Sequence, residues 1–273
     1  MEFLNVNATR TKLNNSKGFK YDANSHTYTL DGLKLKNTTS WVESFSRPFE
    51  SYAISKRKAA KNKMLNTGIF DDVLLRKFWN LKGQHARELG SSLHTFCNMY
   101  WLDPDDVEPK SNYDVIGKNI MDAIMQNYDI LDMEIPRGNR LYMMGYTMDL
   151  VARKKSTGEV ILFDFKTNKY ATAEQEKEDR GRLPQYLLTP FNTIRGVCVD
   201  KASIQLNAYK ILHNTNENTN FTIDGCAVIH INPNPKYYGD KGFKVYPTLD
   251  ISSIVEMELE KEKDYKMNVL GKI

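Results

Sequence analysis

Two β-rich runs joined by a short polar turn constrain the fold of this chain more than any other feature. Residues 141–154 (LYMMGYTMDLVARK) and 159–167 (EVILFDFKT) are rich in aromatic and β-branched side chains, which favour strands. Between them lies Lys-Ser-Thr-Gly (155–158), which has glycine where a hairpin turn needs it. The pattern predicts an antiparallel β-hairpin.

The composition indicates a globular protein. The chain has 273 residues, of which 41% are hydrophobic and 26% are charged, with 15 Gly and 9 Pro. These values exclude collagen-like, low-complexity and wholly disordered proteins, and the length fits one large domain or two small ones. No apolar run reaches the roughly 18 residues that a membrane helix needs, and the first residues lack the order of a secretory signal. We therefore expect no membrane association and a cytoplasmic location, which is the host cytoplasm if the protein is viral.

The cysteines predict neither a disulfide framework nor a metal cluster. Cys97, Cys198 and Cys226 are odd in number and far apart, which argues against a disulfide scaffold and against a four-cysteine zinc or iron–sulfur site. His94 and Cys97 lie three residues apart and could begin a zinc site, but the sequence contains no evident second pair of ligands. A buried free cysteine is the simpler interpretation of Cys97.

Positive charge is concentrated at the start of the chain. Residues 1–100 contain 16 Lys and Arg against 8 Asp and Glu, whereas residues 101–200 contain 13 against 17. A basic region beside an acidic one suits a protein that grips a polyanion and also holds cations, although an ordinary solvated surface gives the same distribution. Five cations and no acid lie in residues 55–63: Lys56, Arg57, Lys58, Lys61 and Lys63. This run fits phosphate contacts, and it equally fits a solvated helix face.

Hydrophobic periods divide the rest of the chain into helices and strands. The Asp31-Gly32 pair predicts a small N-terminal hairpin. Two or three helices are predicted over residues 48–101, and further elements are predicted by the apolar spacing: helices at 115–128, 201–214 and 254–266, and a buried strand at 221–233. The sequence therefore predicts an α/β (α+β) fold with an N-terminal β and helical extension.

The segment 168–200 is too long for a simple connection. Its first half is strongly charged, and its second half contains large apolar side chains that need cover: Leu183, Tyr186, Leu187, Leu188 and Phe191. Two interpretations follow. The segment is either a hinged lid over a site or a static insertion that packs on the core through its apolar half.

Two carboxylates and a lysine fall at one end of the predicted hairpin. Asp149 lies near the middle of the first strand and Asp164 near the end of the second, while Lys166 follows Asp164 by two residues and shares its face. Carboxylates on an otherwise apolar strand pair are costly to desolvate unless a cation lies between them, and Mg²⁺ or Mn²⁺ suits such ligands. The alternative is a simple Asp–Lys ion pair at a strand end.

Two predicted helices add polar groups to this set. Lys201, Gln205 and Tyr209 recur at four-residue steps and form a polar stripe on the helix at 201–214. His94 ends the run Gly-Ser-Ser-Leu-His in an earlier helix, and its imidazole can bind a metal or act as an acid or base.

Together these motifs resemble the PD-(D/E)XK nuclease superfamily and, within it, the RecB-type exonucleases, which include phage and mitochondrial DNA-processing members. The resemblance covers about residues 85–232. Its motifs follow in family order: G-S-S-L-H at 90–94, Glu134, G-Y-T-M-D at 145–149, D-F-K-T at 164–167 and Q-L-N-A-Y at 205–209.

The resemblance implies a role for each matching residue. The implied metal ligands are His94, Asp149, Asp164 and the Phe165 carbonyl. Lys166 would be the catalytic lysine, and Glu134 would be a further carboxylate of the catalytic site. The residues implied to hold the nucleic-acid backbone near the metal are Gln205 and Tyr209. Lys201, from the same polar stripe, is a further candidate for contact with the nucleic acid.

The activity implied by the resemblance is metal-dependent DNA hydrolysis of the exonuclease type. The implied fold of residues 85–273 is a restriction-endonuclease-like nuclease core, a mixed β-sheet flanked by helices, with 168–200 as an insertion. Residues 1–84 would form an N-terminal hairpin and basic helical region. Mg²⁺ or Mn²⁺ would activate the attacking water, and the partners would be DNA and replication or recombination proteins. The cysteine cluster of some RecB-type nucleases is missing, so no iron–sulfur cluster is expected. A non-catalytic nucleic-acid-binding or inhibitory protein on the same scaffold, and a purely structural protein, remain alternatives.

Overall fold

The computed structural model describes residues 18–23, 25–216 and 219–270. Within these ranges no helix is both long and apolar enough to cross a membrane. The described strands are β1 (Phe19–Asp22), β2 (Thr27–Leu30), β3 (Leu33–Lys34), β4 (Lys36–Asn37), β5 (Tyr128–Asn139), β6 (Met144–Lys154), β7 (Val160–Lys166), β8 (Gly225–Ile231) and β9 (Phe243–Pro247). The described α-helices are α1 (Thr38–Glu43), α2 (Ser51–Leu65), α3 (Asp72–Leu102), α4 (Asn112–Asn127), α5 (Ala173–Arg180), α6 (Cys198–Asn214), α7 (Pro235–Tyr238) and α8 (Ser252–Leu270).

The central sheet is mixed, and β6 is its most extensively paired strand. β5 pairs antiparallel along the length of β6. On the other edge of β6, β4 pairs parallel with its start and β7 pairs antiparallel with its second half. β7 pairs parallel with β8, and β8 pairs antiparallel with β9. The parallel step needs a crossover, which α5 and α6 provide. The predicted hairpin and the predicted mixed sheet flanked by helices are both confirmed.

Helices cover both faces of this sheet. On one face α6 packs with α1 and α8 over strand residues that include Met148 and Leu162. On the other face the C-terminal half of α3 packs with α4 over Leu150, Phe163 and Ile229. Each strand residue contributes to one core or the other because side chains alternate along a strand.

This alternation breaks at one position that β5 and β6 share. Met133 belongs to the core beneath α3 and α4, whereas Ile135 belongs to the core beneath α6, although residues two apart in a regular strand share a face. Their ladder partners in β6 change core in the same way. Both strands therefore switch faces at the opposed residues Glu134 and Asp149.

The N-terminal strands β1, β2 and β3 form a small antiparallel sheet that packs against β5 and β6. Its β2–β3 turn is the Asp31-Gly32 pair, so the predicted N-terminal hairpin is confirmed. The ring of Tyr28 lies directly over Gly145, since a Cβ at Gly145 would lie 2.3 Å from Tyr28 Cγ. The Tyr28 hydroxyl is also 2.8 Å from Thr147 Oγ1. Gly145 thus has a structural reason to be glycine, because any side chain would displace the small sheet.

We expect Gly145→Ala to lower the free energy of unfolding by about 1–3 kcal/mol, the usual cost of overpacking a filled site. Chemical denaturation followed by circular dichroism measures this change. Gly83→Ala is the matched control, because Gly83 lies in α3, where an added Cβ would be no closer than 3.5 Å to its nearest neighbour, the Arg87 side chain. The control should be neutral or slightly stabilising, since alanine favours helix over glycine. Equal stability of the Gly145 variant and the parent would contradict the close approach of the two residues.

The predicted helices are confirmed, with shifted ends. Residues 48–101 contain α2 and all but the last residue of α3, and α6 begins at Cys198, three residues before its predicted start. The segment 168–200 contains α5, and Leu187 and Phe191 are buried in the core beneath α6. The prediction that Leu183 and Tyr186 are covered by the core was wrong, because these side chains are 42% and 43% exposed. The buried pair supports a packed insertion rather than a lid.

Candidate metal centre

Three side chains from different elements meet beside the middle of β6. They are His94 from α3, Glu134 from β5 and Asp149 from β6, and one possible ligand atom from each lies within 4.8 Å of the others. His94 Nδ1 is 2.7 Å from Glu134 Oε1, and His94 Nε2 is 3.7 Å from Asp149 Oδ2. Among the residues that the structure describes, this is the group of His, Cys, Asp and Glu side chains that could hold a metal ion.

The backbone of β5 is distorted to bring Glu134 into this group. Glu134 has a φ of +50°, a left-handed backbone conformation that residues other than glycine and asparagine rarely adopt. Such a residue costs on the order of 1 kcal/mol or more and persists only where the surrounding structure imposes it. Here the strand changes faces at Glu134, directly opposite the same change at Asp149. Both carboxylates thereby leave the two apolar cores and reach the site beside α3.

β7 places Asp164 and Lys166 next to this group. Asp164 is 3% exposed, and Lys166 Nζ lies 2.6 Å from Asp164 Oδ2. The backbone N–H of Phe165 donates a hydrogen bond of 2.9 Å to Asp149 Oδ2, and the Phe165 ring meets the His94 ring edge-on at 5.5 Å. Asp164 pairs with Lys166 and is not one of the three grouped side chains, which include Glu134. Its role as a metal ligand stays a prediction. A ligand role for the Phe165 carbonyl stays a prediction.

Positive charge balances the buried carboxylates. Burial opposes the charged form of His94, but the Asp149 charge and the hydrogen bond to Glu134 outweigh it and raise the pKa of His94 to about 9. Burial raises the pKa of Asp149, and it raises the pKa of Asp164 to about 6. Burial also opposes the charge on Lys166, yet Asp164 and Asp149 together raise its pKa above the usual range. The imidazolium and the ammonium thus offset carboxylates that would be costly to bury alone.

A small cavity opens beside Lys166, between α1 and α6. It has a volume of about 90 Å³, and its polar lining comes from both helices and from the residues after β7: Thr39, Glu43, Lys166, Asn168, Lys201 and Gln205. α1 is held in place by the hydroxyl of Thr38, which donates to the Gly145 carbonyl at 3.0 Å. The contribution of α1 was missed at the level of sequence, because nothing in residues 38–43 marks them as neighbours of a helix about 160 residues later.

The polar stripe of α6 is less free than its spacing suggests. Tyr209 is only 3% exposed, and its hydroxyl lies 2.7 Å from Gln205 Nε2 and 3.2 Å from Thr39 Oγ1. Lys201 is paired with Glu43 at 3.0 Å. Direct contact of the Tyr209 ring with DNA is therefore the weakest of the three predicted contacts, whereas Gln205 and Lys201 border the cavity.

The basic residues at 55–63 lie on α2, away from the three-residue group. All five cations are exposed, and Lys56 Nζ lies 4.2 Å from the centre of the Tyr52 ring. α2 packs beside the N-terminal part of α3, where Arg76 contacts Ser55, and the helix between Arg76 and His94 spans more than roughly 20 Å at about 1.5 Å of rise per residue. These cations can therefore act at the site only through a substrate several nucleotides long.

Cys97 is buried with a free thiol, as predicted. It is not part of the three-residue group found among the described residues, so no support exists there for a His94–Cys97 zinc site.

No protein-family model matches the chain. A search of curated proteins also gives no match. The function must therefore be inferred from the motifs and from the geometry of the site.

Proposed function

We propose that this protein is a divalent-metal-dependent DNA nuclease. One observation carries the proposal: His94, Glu134 and Asp149 converge within 4.8 Å beside the Asp164–Lys166 ion pair. Once His94 has lost its proton, one imidazole nitrogen and several carboxylate oxygens form a donor set that suits Mn²⁺, and the carboxylate oxygens also suit Mg²⁺. The strained backbone at Glu134 supports a functional role, because such strain concentrates at active sites.

The residues of the chain divide the work between them. A bound Mg²⁺ or Mn²⁺ would lower the pKa of a water molecule and offset charge on the phosphate. Asp149 is oriented for this site by the Phe165 N–H, and Glu134 by His94. Lys166 stays charged and is held beside Asp164, so it can stabilise negative charge that develops on a phosphodiester.

The exonuclease mode follows the family resemblance, and the shape of the site is consistent with it. The cavity beside Lys166 measures about 90 Å³, which is room for a phosphate group of one strand rather than for a duplex. Asp164, the partner of Lys166, is almost fully buried. A strand end can enter such a space more easily than the middle of a rigid double helix.

The proposal is tested by incubating the protein with end-labelled single- and double-stranded DNA in Mg²⁺, Mn²⁺ or EDTA. We expect cleavage with either metal and none with EDTA. Asp149→Asn protein, purified in the same way, controls for contaminating nucleases. Cleavage in EDTA, or no cleavage by the folded protein in any metal, would contradict the proposal. DNA binding without cleavage would favour the non-catalytic alternative.

The basic cluster on α2 should strengthen DNA binding without contributing to the chemistry. We expect a variant with Lys56, Arg57, Lys58, Lys61 and Lys63 all replaced by Gln to bind DNA with a weaker salt dependence. For every phosphate that the variant no longer neutralises, the slope of log affinity against log salt should fall by about 0.7–0.9. Fluorescence anisotropy in Ca²⁺ measures this slope without requiring cleavage.

Substrate length and a second variant control this measurement. A duplex of about four base pairs is too short to span roughly 20 Å at about 3.4 Å per base pair, so the five-residue variant should bind it like the parent. Lys261→Gln, an exposed change on α8, should leave the slope unchanged. An unaltered slope for the α2 variant on long DNA would show that the cluster is only a solvated face.

A further inference from the structure

The N-terminal half of α3 extends beyond the core and is supported mainly by α2. Leu75 is buried, and the Trp79 ring meets Phe49, just before the start of α2, edge-on at 5.6 Å. Arg76 lies on the same side, and its guanidinium donates to Ser55 Oγ at 2.6 Å. These contacts define which side of α3 is covered and, since a helix turns about 100° per residue, which side is not.

The uncovered side of α3 carries an apolar stripe. Leu74, Phe78 and Leu81 are 54%, 51% and 66% exposed, and they recur at the i, i+4 and i+7 spacing that places side chains on one helix face. We call these three residues the α3 stripe. The exposure of all three side chains shows that α2 does not cover the stripe. Contiguous exposed apolar residues of this kind mark interaction surfaces in folded proteins.

The charges around the α3 stripe are mainly positive. Lys77 and Lys82 are exposed on either side of it. Residues 51–87 contain nine Lys and Arg but only two acids, Asp71 and Asp72. Both acids are engaged, because Asp71 caps the start of α3 and Asp72 pairs with Arg76. A binding partner must therefore present apolar groups at helical spacing with negative charge beside them.

We propose that the α3 stripe is the docking surface for an acidic amphipathic helix of a partner protein. Helix packing explains the i, i+4 and i+7 spacing of the α3 stripe, because ridges of side chains at this spacing fit into the grooves of a second helix. A second copy of this chain is disfavoured, since it would bring two strongly basic segments together. A nucleic acid is disfavoured because Phe78 is the one flat ring in the stripe, and leucine side chains offer no stacking platform for bases. The proposal does not depend on nuclease activity.

The probe is a fluorescein-labelled peptide of about 20 residues, built from Leu at helical spacing and Glu elsewhere. We expect it to bind the full chain, with affinity that falls as salt rises. Phe78→Ser combined with Leu81→Ser should weaken binding about tenfold or more, as expected when apolar anchors of an interface are removed. Met64→Ser is the matched control, since Met64 is 78% exposed on α2 and outside the stripe. Circular dichroism and thermal unfolding confirm that each variant is folded.

Any of several results would overturn the proposal. The first is equal binding of a peptide with the same composition in shuffled order, and unchanged peptide binding by the double variant would have the same meaning. The second is a similar loss of oligothymidine affinity in the double variant, which would assign the stripe to nucleic acid. The third is a dimer in sedimentation velocity that dissociates on Phe78→Ser and Leu81→Ser, which would assign it to a second copy. Selective loss of the ordered acidic peptide, with oligothymidine affinity and sedimentation unchanged, supports the docking surface.

Discussion

Asp149→Asn and Asp164→Asn are each expected to reduce metal-dependent DNA cleavage by about a thousandfold or more, while the protein stays folded. Asp149 provides an oxygen of the three-residue group, and Asp164 holds the ammonium of Lys166 at 2.6 Å. Asparagine keeps the shape and an oxygen that can accept the Phe165 N–H, but it removes the charge. Rates should be measured with enzyme in excess over labelled DNA, so that product release does not limit them.

The two variants should differ in metal binding. Calorimetric titration with Mn²⁺ should show a large loss of affinity for Asp149→Asn and a smaller one for Asp164→Asn, which lies outside the three-residue group. Asp129→Asn is the matched control, because Asp129 lies on β5 with its side chain 67% exposed and 3.9 Å from Lys155. Unchanged Mn²⁺ affinity in both site variants would place the metal ligands elsewhere.

The second large effect concerns acid stability, and two buried histidines should cause it. His213 and His230 are 1% and 0% exposed, and burial lowers the pKa of each to about 4. The folded protein keeps them neutral, whereas the unfolded chain binds protons near pH 6.5. The free energy of unfolding is therefore unaffected by these histidines above about pH 6.5 and falls between pH 6.5 and 4, where only the unfolded chain binds the protons. Each histidine should lower the free energy of unfolding by roughly 3 kcal/mol over this range.

A comparison of variants can separate the effect of the two histidines on acid stability from that of other titrating groups. Burial raises the pKa values of Asp164 and Asp200 to about 6, so their protonation favours the folded state over part of the same range and opposes the trend. We expect His213→Gln with His230→Gln to lose less stability than the parent between pH 7 and about pH 4.5 in urea denaturation. An equal loss in both proteins would assign the pH dependence to other groups.

Local pattern was enough to predict the hairpin and three of its polar residues. Period-two alternation and the Gly158 turn predict β6 and β7, and the same period places Asp164 and Lys166 on one face. Several helix starts are also local, since the side chain of Asp71 caps α3 and that of Ser111 caps α4. These features involve residues within a few positions of one another.

β5 escaped prediction although it is the longest described strand. Its sequence, YDILDMEIPRGN, contains Pro136 and Gly138, which normally interrupt strands. Its alternation also reverses at Glu134, so no single face carries a continuous apolar pattern. Hydrophobic period alone gives no signal for a strand that changes faces midway.

The hairpin, its two aspartates and its lysine follow from the sequence alone, because turn chemistry and strand period are properties of neighbouring residues. The meeting of Glu134 with His94 and Asp149, and the place of α1 beside the cavity, follow only from the folded chain. The same is true of the burial of Tyr209. These outcomes depend on contacts between residues that are far apart in the chain, where packing and charge balance rather than local spacing select the partner of each polar group.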